Sequence, residues 1–310
     1  MVKNEHYIPR FYLQQFATKD KICVYNIKEE KIFQTNIKKI AVHNYFYDAT
    51  PDDLRDELEI YREIFNISTE NFEAKINNPQ FIEEAFSRLE NKMSNYIKKF
   101  EADYSLIHDE EFLRTLFLFL HTLSIRTLSY RNILESINTQ TSDWLKSLNI
   151  ANISNYDLSK SPKENAKLSQ LKNIISLQNT YKKAERFFEN YDIFVGVNNT
   201  DMDFLISDNP LLNFYLGFND ICFPINPRLA IIMQVSYASE KQKICNFVPD
   251  SDGIVNLKVM DVLKYNLLQE NSNANYLFGK EKMINRYLRY INQIKRLKKY
   301  QNKMITNEVE

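Results

Sequence analysis

The sequence predicts an α+β protein, mostly helical, with short antiparallel strands near the N-terminus and in the 190–236 region. Three observations lead there. Apolar residues recur at helical spacing through most of 51–137. Short apolar runs flank polar turns before residue 50 and again after 190. The resulting order of strands, helices, strands and helices is not the regular alternation of a parallel α/β sheet. The chain has 310 residues, of which 44% are hydrophobic, enough for one large core, so a single domain over 1–310 is expected.

Taken in order, residues 9–17 read as a short helix with Pro9 at its first position, where a missing N–H costs nothing. Ile22–Tyr25 and Lys31–Thr35 flank the polar Lys28-Glu29-Glu30 and read as a hairpin, and Ile40–Tyr47 reads as a further strand. Thr50-Pro51-Asp52-Asp53 is a helix start. Helices are expected over 51–63, 68–77 and 79–102, and a long buried one over about 109–137, capped by Asp109 with Glu110 and Glu111 at its positive end. Trp144 follows that stretch and is read as a packing residue. Residues 150–168, with Ser161-Pro162, read as a polar loop or insertion before a helix over 169–189.

The pattern then changes. Tyr191–Val197 and Asp203–Ile206 flank Asn198-Asn199-Thr200-Asp201, a hairpin signal. Ile221–Phe223 and Leu229–Val235 are further strand candidates, and helices return at about 254–269 and 280–304.

Composition removes several function classes. The four glycines (Gly196, Gly217, Gly253, Gly279) are scattered, so no phosphate-binding or dinucleotide-binding glycine loop exists. There is no G-x-S-x-G elbow and no H-E-x-x-H. Forty basic residues balance forty acidic ones, so no global field steers nucleic acid to the chain. Cys23, Cys222 and Cys245 stand far apart, without ligand spacing, which argues against zinc and disulfides and for a reducing cytoplasm. No apolar run is long enough to cross a membrane, so no membrane partner is expected.

Four constellations carry chemistry. His6 and Arg10 flank a helix start, where anions are favoured, and suit acid–base work or phosphate binding; capping or packing is the plainer alternative. On the long helix, Thr115, Thr122, Arg126 and Ser129 share one face. A buried Arg126 needs a carboxylate, a backbone carbonyl or an anionic ligand, and a structural ion pair satisfies it equally well. Ser207-Asp208-Asn209-Pro210 follows an apolar strand, a common place for catalytic groups. Asp208 would be a base, a metal ligand or the partner of Arg126, and Asn209 would contact substrate, although the same four residue types are the favoured turn formers. Lastly, the basic helix at 280–304, including Lys295, Arg296 and Lys299, suits phosphate contact; a solvated helix with its apolar seam on the core is the plainer reading.

Several of these motifs coincide with a known family pattern. His6-Tyr7-Ile8-Pro9-Arg10-Phe11-Tyr12-Leu13-Gln14-Gln15-Phe16, then Ile40-Ala41 with Asn44-Tyr45-Phe46-Tyr47, then Ile206–Pro210 and Phe223-Pro224-Ile225-Asn226-Pro227-Arg228 resemble the bacterial domain-of-unknown-function family 4238. The helix bearing Arg126-Thr127 fits as well, as does Asn256 ahead of a helix ending near Tyr276-Leu277-Phe278-Gly279. The resemblance spans nearly the whole chain. It supplies no activity, but it implies functional weight for His6, Arg126, Ser207, Asp208 and Asn209, and for Glu70 as an acidic position.

These readings converge on a hydrolase for a phosphate-containing substrate, most sharply a nuclease, in a bacterial stress or phage-defence setting. His6 would be general acid or base and Asp208 a base or the ligand of a divalent metal. Arg126 and Asn209 would hold the charged group, Glu70 and Ser207 would complete the catalytic set, and Arg10, Lys295, Arg296 and Lys299 would bind substrate. The competing expectation is a non-catalytic binding or sensor module for a small anion or a protein partner.

Overall fold

A computed structural model describes residues 4–44, 46–47, 54–55, 59, 81–148, 158–176, 190–211, 220–235 and 247–307, with side chains to 296. The predicted helices at 51–63 and 68–77 fall almost wholly outside the described residues, as do Glu70 and Cys245.

Strand β1 (Asn4–His6) pairs antiparallel with β4 (Val42–Asn44). Helix α1 (Arg10–Phe16) begins one residue later than expected, with Pro9 as the residue before it. Its carbonyl accepts the Tyr12 and Leu13 amides, and Tyr12, Leu13 and Phe16 are buried. The expected hairpin is β2 (Lys21–Asn26) with β3 (Lys31–Asn36). On its other side β2 pairs with β10 (Tyr276–Gly279), and β10 pairs with β6 (Ile206–Ser207). The 276–279 segment is therefore a strand where a helix end was expected. Gly279 lies where a Cβ would come within 2.5 Å of Leu205 Cδ2, so a side chain at this close crossing would require Leu205 to shift.

The second sheet has the order β7 (Asp220–Asn226), β8 (Leu229–Val235), β5 (Tyr191–Val197), β9 (Ile254–Asn256). All seven residues of β8 are buried, the polar Gln234 included, as in a strand covered on both faces. The hairpin expected between 191–197 and 203–206 does not form. The turn after Val197 is present, but β5 pairs with β8 and β9 while β6 joins the other sheet. A local turn signal cannot decide which strand supplies the partner.

Helix α2 (Phe81–Ala102) matches its expected span, and a 3-10 turn (Tyr104–His108) follows it. The single helix expected over 109–137 is two: α3 (Glu110–Ile125), capped by Asp109, and α4 (Leu128–Ser147). At the break Thr127 is extended (φ −77°, ψ 157°), and its hydroxyl accepts the Tyr130 amide at 3.1 Å. Ser129 thus belongs to the next helix and leaves the face shared by Thr115, Thr122 and Arg126. Gln170 spans the break, its amide donating to the Ile125 and Thr127 carbonyls at 2.7 and 3.1 Å. Gln170 lies on α5 (Pro162–Ser176), so the Ser-Pro read as loop is a helix start. Ser161 and Glu164 form a reciprocal capping box there.

Trp144 is not a packing residue. It is 59% exposed and shares one face of α4 with the exposed Ile133 and Ile137, continued by the exposed Leu148 that caps the helix. Helices α6 (Val259–Glu270) and α7 (Glu281–Asn307) complete the described chain. One contiguous apolar core runs from Tyr7 to Ile291, and no helix is long and apolar enough to cross a membrane among the described residues.

Candidate functional site

The short β1–β4 ladder presents His6 beside the first turn of α1. The imidazole is half-buried, and its Nε2 lies 3.2 Å from the Ile37 carbonyl. A carbonyl only accepts, so Nε2 carries the proton and, in the neutral ring, Nδ1 carries the lone pair. Burial lowers the pKa to about 4; the Ile37 hydrogen bond opposes this, and the guanidiniums of Arg10 and Arg126 lower it further. At neutral pH the ring is uncharged. Arg10 is exposed and has no hydrogen-bond or ion-pair partner among the described residues.

Arg126 closes α3 and is 2% exposed. A guanidinium at that depth must be paired, and it is: Nη1 donates to Glu90 Oε1 at 2.6 Å, Nη2 to the His6 carbonyl at 2.5 Å and Nε to the Tyr47 hydroxyl at 3.1 Å. Its planar group lies over the Phe86 ring, 4.3 Å from the centroid. Burial opposes the charge, but Tyr47, Glu90 and Glu83 outweigh it and hold Arg126 protonated. Burial raises the Glu83 carboxyl, an effect that Arg126 opposes and Glu90 and Glu5 reinforce.

Glu5 is buried beside this group and accepts the Tyr47 amide at 2.8 Å. Arg131, one turn into α4, donates to Gln170 at 2.5 Å and to the Phe46 carbonyl at 2.8 Å. Burial lowers its pKa to about 10. The helix break thus gathers two arginines, three glutamates, Tyr47 and His6 from four chain segments.

Sequence reasoning found Arg126 and His6 and missed Glu5, Glu83, Glu90, Tyr47 and Arg131. The spacing of Glu83, Phe86 and Glu90 (i, i+3, i+7) was the available signal, since it puts all three on one face of α2. His121, another half-buried histidine, lies apart from the cluster and stacks on Phe117.

The Ser207-Asp208-Asn209-Pro210 turn is built differently. Asp208 is 3% exposed, and its carboxylate accepts the Asn275 and Tyr276 amides at 2.8 and 3.1 Å and the Asn275 side chain at 3.1 Å. Ser207 donates to Gln269 at 2.7 Å, and Gln269 donates to the Pro210 carbonyl at 2.9 Å. Asn209 donates to the Ser272 carbonyl at 2.7 Å. One turn earlier on α6, Asn266 both accepts the Leu205 amide and donates to the Asp203 carbonyl. Two amides at i and i+3 therefore supply the backbone partners that the 203–210 segment lacks in its sheet.

Asp208 is not the partner of Arg126; that place belongs to Glu90. The turn approaches the His6 motif instead through Tyr7. Burial raises the Tyr7 phenol, and the nearby Asp208 carboxylate adds to the shift.

Helix α7 buries Ile284, Tyr287 and Ile291 and exposes Lys295 and Arg296; the side chain of Lys299 lies outside the described residues. No group of three or more His, Cys, Asp or Glu among the described residues is arranged to hold a metal ion.

Fold and site together define an α+β protein organised around a buried arginine–carboxylate cluster, with one neutral histidine at its edge. The family model described as "Protein of unknown function (DUF4238)" matches residues 4–294, and the chain belongs to that family. No curated protein and no solved structure matches it.

Proposed function

We propose that the protein hydrolyses a phosphate-containing substrate, nucleic acid in its sharpest form, at the edge formed by His6 and Arg10. The observation that carries this reading is a neutral, tautomer-defined imidazole close enough to feel the charge of an exposed guanidinium that has no partner among the described residues. Arg10 attracts the phosphate. Burial is the main cause of the low His6 pKa; the bound charge offsets the smaller part due to Arg10, so the imidazole becomes a better base as substrate arrives. Nδ1 then takes a proton from the attacking water as its oxygen bonds to phosphorus and the P–O ester bond breaks, and solvent water protonates the leaving oxygen.

Arg126 serves as a positioning residue, because it grips the His6 main chain. Ser207, Asp208 and Asn209 hold the 203–210 and 272–276 segments and take no part in the reaction. A stress or phage-defence setting is consistent with an activity of this kind.

The test is hydrolysis of single-stranded RNA, single-stranded DNA, duplex DNA and a phosphodiester ester by the purified chain, with and without divalent cations. His6→Gln keeps a donor for the Ile37 carbonyl but has no basic nitrogen. It should lower the rate by about a hundredfold or more while the thermal midpoint stays near that of the parent. Full activity in His6→Gln would overturn the proposal.

A second reading is favoured by the saturation of Arg126, Ser207, Asp208 and Asn209 within the fold. His6 and Arg10 would then bind a small anion without chemistry. Inorganic phosphate that raises the thermal midpoint of the parent but not of Arg10→Gln, with no hydrolysis of any substrate, selects it.

A further inference from the structure

A polar cleft lies between the 3-10 turn after α2, the loop after β5 and the β7–β8 hairpin. Its volume is about 570 Å³, within the range of small-ligand sites. Tyr104, Glu101, Asn199, Thr200, Asn226 and Arg228 line it. Its planar polar groups are fixed in advance. Asn226 donates to Glu101 at 2.7 Å and accepts the Arg228 amide at 2.8 Å, and Asn199 donates to Asn256 at 3.2 Å. Tyr104 is half-buried and packs on Phe100, 5.7 Å between centroids. An aromatic ring beside amide and carboxylate edges is the chemistry that recognises a planar heterocycle by stacking and edge hydrogen bonds.

The rim of this cleft is cationic. Asp203, 2% exposed, anchors Arg228 at 2.6 Å and Lys280 at 3.7 Å. Arg286 pairs with Asp201 at 2.9 Å. Two acids thus hold three cations, which remain 48%, 51% and 30% exposed.

From Arg286 the charge continues along α7. Lys282, Arg286, Arg289 and Arg296 stand at i, i+4, i+7 and i+14, within about 80° of one another around the helix. They lie opposite the seam of Ile284, Tyr287 and Ile291, so they face solvent. Lys282, Arg289 and Arg296 have no ion-pair partner among the described residues. Seven residues of helix advance about 10 Å, so the row is an extended line of positive charge and not a point.

We propose that this cleft and row form a binding track for single-stranded nucleic acid. One unpaired base stacks on Tyr104 with its edge on Asn226 and Asn199, and the following phosphates run over Arg228, Lys280 and Arg286 onto Arg289 and Arg296. A duplex does not satisfy it, because its bases are not free to enter the cleft. The track uses elements other than those that hold His6 and Arg10, so it stands whether or not hydrolysis occurs there.

The experiment is fluorescence anisotropy with labelled single strands of RNA and DNA of about 20 nucleotides and the matching duplex, across a salt series. The probes are used with the His6→Gln chain, so that cleavage does not obscure binding. The parent surface should bind both single strands more tightly than duplex. Lys282→Gln/Arg289→Gln/Arg296→Gln, all exposed changes, should weaken binding at least tenfold and reduce the salt slope by about 2, at about 0.7 per phosphate contact. Tyr104→Leu should weaken single-strand binding and leave any duplex binding unchanged. Unchanged affinity in the triple variant, salt-independent binding, or duplex bound as tightly as single strand would each overturn the proposal. A tighter RNA complex would add a 2′-hydroxyl contact to the track.

Discussion

The Arg126 guanidinium donates to the main-chain carbonyl of His6 at 2.5 Å while its other arm pairs with Glu90 at 2.6 Å. A charge seated at the break between α3 and α4 thereby holds the strand that carries His6. Removing one member of a buried pair leaves the other charge uncompensated, at a cost of roughly 3–5 kcal/mol. Arg126→Met should lose about that much stability in urea denaturation. Arg126→Met with Glu90→Met should cost clearly less than the two single changes summed. Additive losses would show that the two side chains do not support each other.

Asp208 offers a second test, because its carboxylate accepts two main-chain amides while burial pushes its pKa up. Asp208→Ala strands those amides and should lose about 2–3 kcal/mol. Asp208→Asn retains an acceptor oxygen and removes the buried charge, so it should stay within about 1 kcal/mol of the parent. If the asparagine variant folds as the parent but no longer hydrolyses substrate, Asp208 belongs to the chemistry after all.

Acid should weaken the fold through its histidines. Burial lowers His6 and His121 from 6.5 to about 4. Between those values the unfolded chain binds protons that the folded chain refuses, so stability falls as pH drops from 6.5 towards 4. Glu83 and Asp208 work in the opposite sense. Burial raises both, so the folded state takes up their protons first and recovers part of the loss at lower pH. Thermal midpoints measured from pH 7.5 to 4.5 should show the decline, and His6→Gln with His121→Gln should flatten it. An undiminished slope in that double variant would assign the acid sensitivity to other groups.

Local features of this chain were legible without its structure. Pro9 and the Phe11–Phe16 run specified α1, the polar Lys28–Glu30 turn specified the β2–β3 hairpin, and Asp109 with Glu110 and Glu111 specified the start of α3. Each rests on interactions within a few residues. The need of Arg126 for a buried partner was equally readable, because desolvation of a charge does not depend on which partner arrives.

What only the tertiary structure decided is pairing at a distance. Glu90 and not Asp208 meets Arg126; β6 joins β10 and not β5; Gln170 reaches across from another helix to stabilise a break inside an apolar run that reads as continuous. The amides Asn266 and Gln269 look like ordinary helix residues until a strand segment without a sheet partner lies against them. Hydrophobic period and caps are properties of one segment, and they determine elements. The choice of partner for a buried polar group depends on which segments the core brings together, and that is a property of the whole chain.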